Sequence, residues 1–254
     1  MMDAFEMIAT RPQLNIIFLV NSSSSMSGER IRQLNEFMSE AIPAVEETAA
    51  EREVSLRMRV AEINTAARWI YGDTVNGVEH IEWMPLEADG EADTSGALEL
   101  AKSVMRREIL GEKISRPIVI LVSDGSSGDP QKTASAIDQL KTSLRGLTGL
   151  NEELVIRIVV EVDGANRDAL IEFASAGTVE RDDVMMGTEG CLLLSCKDIG
   201  LLKNAIKLTI SPYMWMKYDV LVDYGFLGDE TVLWRKDDSI VAAWDESGDD
   251  DWEE

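Results

Sequence analysis

Short apolar runs alternate with longer segments of helical period along most of the chain. Residues 14–20 are apolar except for Asn15 and predict a buried strand. Ile31, Leu34, Met38, Ile42 and Val45 then recur at helical spacing, predicting an amphipathic helix to about Ala50. Val54, Leu56, Met58 and Val60 alternate with Ser55, Arg57 and Arg59, the pattern of a half-exposed strand. Residues 68–71 and 78–84 are expected to pair, with Gly72 and Gly77 as turn residues.

The second half keeps this rhythm more cleanly. Residues 95–109 read as a helix and 117–122 (PIVILV) as a strand buried on both faces. Asp129-Pro130 opens a helix that carries Ala134, Ile137, Leu140 and Leu144. Residues 154–162 predict a strand, 167–174 a short helix and 191–194 a short strand. Ile199, Leu202, Ile206 and Ile210 mark a last helix. Apolar strands separated by helices imply an α/β, doubly wound fold, with a mostly parallel central sheet and helices on both faces. From Pro212 the pattern changes. Residues 213–226 and 231–234 are β-prone, with Gly225 and Gly228 between them, and 237–254 are acidic. The expected division is an α/β domain over 1–211 and a C-terminal extension with an acidic tail over 212–254.

Composition narrows the function classes. The 254 residues are 45% hydrophobic and 28% charged, with a net charge of −23. Such a charge repels phosphate backbones and anionic membranes, so neither nucleic acid nor membrane is expected as a partner. Nine acids and no base fall within 237–254, which leaves −14 on the rest. Two cysteines, Cys191 and Cys196, build no disulfide framework, and the single His80 weakens any Ser-His-Asp reading. Residues 1–10 hold no basic leader, and the longest early apolar run is 16–20; a cytoplasmic location is the expectation.

Ligands of open α/β sheets bind beyond the carboxyl ends of the strands. There the first strand is followed by Asn21-Ser22-Ser23-Ser24-Ser25-Met26-Ser27-Gly28, and PIVILV by Ser123-Asp124-Gly125. Asp93-Thr94-Ser95-Gly96 opens the intervening helix. Hydroxyls and a carboxylate converging at one edge suit a hard cation, Mg²⁺ or Mn²⁺. Helix capping by Asn21 and the serines, or by Thr94, and a turn role for Asp124, account for the same residues without a ligand.

FLVNSSSSMSG resembles the D-x-S-x-S motif of von Willebrand factor type A domains, with Asn21 at the Asp position and Ser23 and Ser25 matching. Thr94 in DTSGALELA and Asp124 in ILVSDG resemble the second and third motifs of that family, in the same order along 14–210. VNSSSSMSGERI looks most like bacterial tellurite-resistance-type members, encoded among kinases and phosphatases. The resemblance implies a metal-ion-dependent adhesion site made by Asn21, Ser23, Ser25, Thr94 and Asp124. Asn21 removes one charge, so Mg²⁺ or Mn²⁺ would be held weakly and completed by a partner's Asp or Glu carboxylate. The implied function is a non-enzymatic, intracellular protein-binding module, an adaptor in a kinase/phosphatase or stress-response system. The alternatives are a metal-free scaffold with a decayed site and, third, a Mg²⁺-dependent phosphoryl-transfer enzyme. The last lacks both a P-loop and an Asp after strand one. An acidic-tail carboxylate is a further candidate occupant of the metal position.

Overall fold

A computed structural model describes residues 13–110, 116–144, 155–175 and 192–209, with the strand residues 179–181, 184–186, 232–234 and 240–242. Six strands form the central sheet: β1 (Gln13–Asn21), β2 (Ser55–Ile63), β3 (Arg68–Tyr71), β4 (Ile118–Ser123), β5 (Ile156–Glu161) and β8 (Leu193–Ser195). Their order is β3-β2-β1-β4-β5-β8, parallel throughout except for β3 against β2. Two antiparallel pairs stand apart from it in hydrogen bonding. They are β6 (Val179–Arg181) with β7 (Val184–Met186), and β9 (Val232–Trp234) with β10 (Ile240–Ala242). Residues 213–226 and most of the acidic tail lie outside the described residues.

Alternation along β1 explains why the sheet is covered twice. Ile16, Phe18 and Val20 pack under α1 (Glu29–Glu51) and α6 (Ile199–Thr209), through Leu34, Phe37, Met38, Leu202 and Ile206. Ile17 and Leu19 face α2 (Thr94–Val104) and α4 (Pro130–Lys141), through Leu98, Ala101, Ile137 and Leu140. Every one of these strand residues is fully buried, which is why β1 and β4 read as apolar runs. As expected, α4 begins at Asp129, whose carboxylate accepts from the Gln131 and Lys132 amides, with Pro130 in the first turn.

Three expectations are corrected. Residues 68–71 do not pair with 78–84; β3 joins β2 instead, and only Val78 makes a bridge, to Met58. Arg59 is not on an exposed face: it is 1% exposed. Its guanidinium donates to Asn15 Oδ1 and to the Asp73 and Val75 carbonyls, so the 73–78 loop covers it. Burial lowers its pKa to about 10. The helix expected over 95–109 is two pieces, α2 and α3 (Arg107–Leu110), because Met105 leaves helical geometry at ψ 57°. The remaining short helix is α5 (Arg167–Ile171), capped by Asn166.

Candidate functional site

The site lies where the sheet reverses its winding. β2 and β4 flank β1 on opposite sides, and in register Val20 stands beside both Glu62 and Val122. The loops leaving β1 and β4 therefore meet at the carboxyl edge of the sheet, the place where ligands of open α/β sheets bind, and bring Asn21 and Asp124 together.

Asn21 is fully buried. Its Oδ1 accepts the Ser23 backbone N–H at 2.9 Å, which fixes the amide orientation. Nδ2 then donates to Ser123 Oγ and to Asp124 Oδ1, both at 3.1 Å. Asp124 is 4% exposed and its carboxylate is fully engaged. Oδ1 also accepts from the Ser126 amide at 3.0 Å, and Oδ2 from Ser126 Oγ at 3.3 Å and Arg30 Nη1 at 2.9 Å. Asp124 is thus a turn residue and a member of the Asn21 network together. Gly125, at φ +87°, permits that turn, and a Cβ there would meet the Asn166 carbonyl at 2.6 Å.

Ser23 and Ser25 share a hydrogen bond between their hydroxyls at 3.0 Å. A pair sharing one hydrogen leaves one O–H to donate elsewhere. Thr94 Oγ1 donates to the Ser126 carbonyl at 3.3 Å. All five sequence-predicted residues therefore belong to one hydrogen-bonded network that runs Ser25, Ser23, Asn21, Asp124, Ser126, Thr94. Ser24, Ser25 and Ser27 form its exposed rim.

Local geometry separates this network from helix capping. The loop after β1 makes a 3-10 turn at Ser24–Met26, and the N-cap of α1 is Gly28 (φ 78°, ψ −124°), with no side-chain capping bond. In α2 the cap is Asp93, whose Oδ1 accepts the Gly96 amide at 2.9 Å. Neither the serines nor Thr94 is used as a cap.

Sequence reasoning missed four neighbours. Arg30 pairs with Asp124, and nothing in its spacing marks it out. Ser126 bridges Asp124 and Thr94. Ser22 Oγ donates to Glu62 Oε1 at 2.7 Å, and Glu62, 4% exposed, is paired with Arg68 at 2.8 Å. A signal for Glu62 existed: it is a carboxylate at the ligand end of a strand whose neighbours Ala61 and Ile63 are apolar and buried. His80 is elsewhere, at 3.0 Å from Glu46, about 25 Å down α1 from its first turn. Cys196 is buried against Gln33, and burial raises its thiol pKa.

By atom type the hydroxyls and Asp124 suit a hard divalent ion; by charge they do not. Asp124 already carries Arg30, Glu62 carries Arg68, and Asn21 turns an N–H toward the carboxylate. As arranged, the site does not fit a resident divalent ion.

Residues 15–186 match the family described as von Willebrand factor type A domain. Comparison with curated proteins gives no match. Among solved structures, the chain is similar to proximal thread matrix protein 1 from the mussel byssus. One crystal form matches at 20% identity and TM-score 0.48, over 79% of this chain and 48% of that one. The structure of that matrix protein with a zinc-occupied MIDAS motif matches at 14% identity and TM-score 0.47, over 77% and 45%. The chain spans about half the length of these structures.

Proposed function

We propose, from the premise that the chain belongs to the von Willebrand factor type A domain family, that it is a non-enzymatic protein-binding module. Its contact surface is the sheet edge where the exposed Ser24, Ser25 and Ser27 and the part-exposed Arg30 overlie the buried network of Asn21, Ser23, Thr94 and Asp124, and its partner offers an Asp or Glu carboxylate. One observation carries this reading: residues from three loops far apart in sequence join one network beneath an exposed rim of serines, at the carboxyl edge of the strands where open sheets bind ligands. Capping does not account for the same residues: the N-cap position of α1 is Gly28, which makes no side-chain bond, and the cap of α2 is Asp93.

Electrostatics at the rim support an acidic group. Arg30, with a third of its side chain exposed, is the cation nearest the network. The unspent hydroxyl hydrogen of the Ser23–Ser25 pair supplies a donor beside it. Mg²⁺ or Mn²⁺ at Ser23, Ser25, Thr94 and Asp124 requires Arg30 to leave Asp124 first. The likeness to tellurite-resistance-type proteins rests on VNSSSSMSGERI and favours a cytoplasmic adaptor that serves a kinase or phosphatase. No described helix is long and apolar enough to cross a membrane.

The test is capture of a partner by the full chain, followed by calorimetry with the purified partner against wild type and Thr94→Ala. Loss of roughly tenfold or more in affinity, at unchanged melting temperature, supports the edge as the contact. Equal affinity overturns it.

A further inference from the structure

Arg30 stands in the first turn of α1, and four of its five N–H groups bond within the chain. Nη1 donates to Asp124 Oδ2 at 2.9 Å and to the Ser25 carbonyl at 3.0 Å. Nε donates to the Asp163 carbonyl at 3.2 Å and Nη2 to the Gly164 carbonyl at 2.8 Å. These acceptors come from the loops after β1, β4 and β5. One positive charge thus gathers a carboxylate and three carbonyl oxygens, the ligand types a hard cation takes.

Asn21 is the complement of this arrangement. A carboxylate at that position beside Asp124 needs a strong positive charge between the two, whereas an amide turns its own N–H to Asp124 and needs none. With Asn21 neutral and Asp124 matched by Arg30, the network carries no net charge. An arriving divalent ion would find no uncompensated anion, and a guanidinium close by would repel it.

We infer that Arg30 is the resident cation of this site: its guanidinium takes the place of a divalent metal and leaves the edge metal-independent. The fifth N–H, on Nη2, finds no partner among the described residues and points the site's chemistry toward a carboxylate that binds arginine directly. That ligand class rests on the proposed binding function; the identity of the cation does not.

The experiment is a calorimetric titration of the full chain with Mn²⁺ alone, without partner. It compares wild type, Asp124→Asn, and the pair Asn21→Asp with Arg30→Met. The acidic tail contributes equally to all three, so differences between them read the edge. Wild type and Asp124→Asn are expected to give the same isotherm. The double variant, with two carboxylates and no arginine, is expected to bind Mn²⁺ more than about tenfold tighter than wild type. A saturable, Asp124-dependent Mn²⁺ site in wild type overturns the inference, as does a folded double variant that gains nothing. If the double variant fails to fold, wild type against Asp124→Asn decides alone. Failure of the binding function would show instead as equal partner affinity in Thr94→Ala, which leaves this titration untouched.

Discussion

Asn21→Asp is nearly isosteric, yet it reverses the electrostatics of the site. It places an oxygen where Nδ2 now lies, 3.1 Å from Asp124 Oδ1 and from Ser123 Oγ. The serine hydroxyl rotates to donate, so that contact survives. The other becomes a contact between like charges. Two unit charges about 4 Å apart repel by roughly 4 kcal/mol at an effective dielectric near 20. Arg30, bound to Asp124 at 2.9 Å, attracts the new carboxylate and returns roughly half of this. The net expectation is a loss of about 2 kcal/mol at pH 7 in chelator, or roughly 4–8 °C in melting temperature for a domain of this size. Urea unfolding followed by far-UV circular dichroism measures it. Wild-type stability for the variant at pH 7 in chelator would refute the arrangement of Asn21 against Asp124.

Further outcomes follow from the hydrogen bonds and burial of the site and its surroundings. Asp124→Ala strands Arg30 and Asn21 and should cost about 2–4 kcal/mol in urea unfolding, whereas Thr94→Ala, losing one 3.3 Å bond, should cost under about 1 kcal/mol. Asp93→Ala removes the α2 cap and should destabilise by about 1 kcal/mol without the loss of partner affinity expected of Thr94→Ala. Hydrogen bonds from Lys197, then Gln33, hold the Asp163 carboxyl below the usual range. A depressed folded value contributes stability that is present at neutral pH and is lost as pH falls through it, so Asp163→Asn should flatten the acid limb of stability against pH. Cys196 is 7% exposed and its thiol is shifted up by burial, so in a Cys191→Ser background it should resist alkylation at pH 8 until the chain is unfolded.

The parts of the fold that showed in the sequence are those where one physical rule dominates. Burial on both faces makes β1 and β4 continuous apolar runs, and the Asp129-Pro130 pair marks the start of α4 by its capping chemistry alone. The exceptions involve contacts between distant segments. Arg59 reads as exposed because its alternation with Met58 is local, whereas the 73–78 loop that buries it arrives from further along the chain. Residues 68–71 choose β2 over 78–84 because β2 offers a free sheet edge, a fact about topology and not about either segment. The site divides the same way. Asn21, Ser23, Ser25, Thr94 and Asp124 stand at strand and helix ends, where polar residues after apolar runs draw attention. Arg30 lies in an ordinary helical turn, ERIRQ, and its importance comes from Asp124, ninety-four positions away. An ion pair across that separation has no local signature.

The role of Arg30 is tested most directly by the affinity of the wild-type chain for its captured partner, measured once in Mg²⁺ and once in chelator at fixed ionic strength. With Arg30 as the cation of the site, the two affinities are predicted to be equal. Loss of binding in chelator, restored by Mg²⁺ or Mn²⁺, would contradict it.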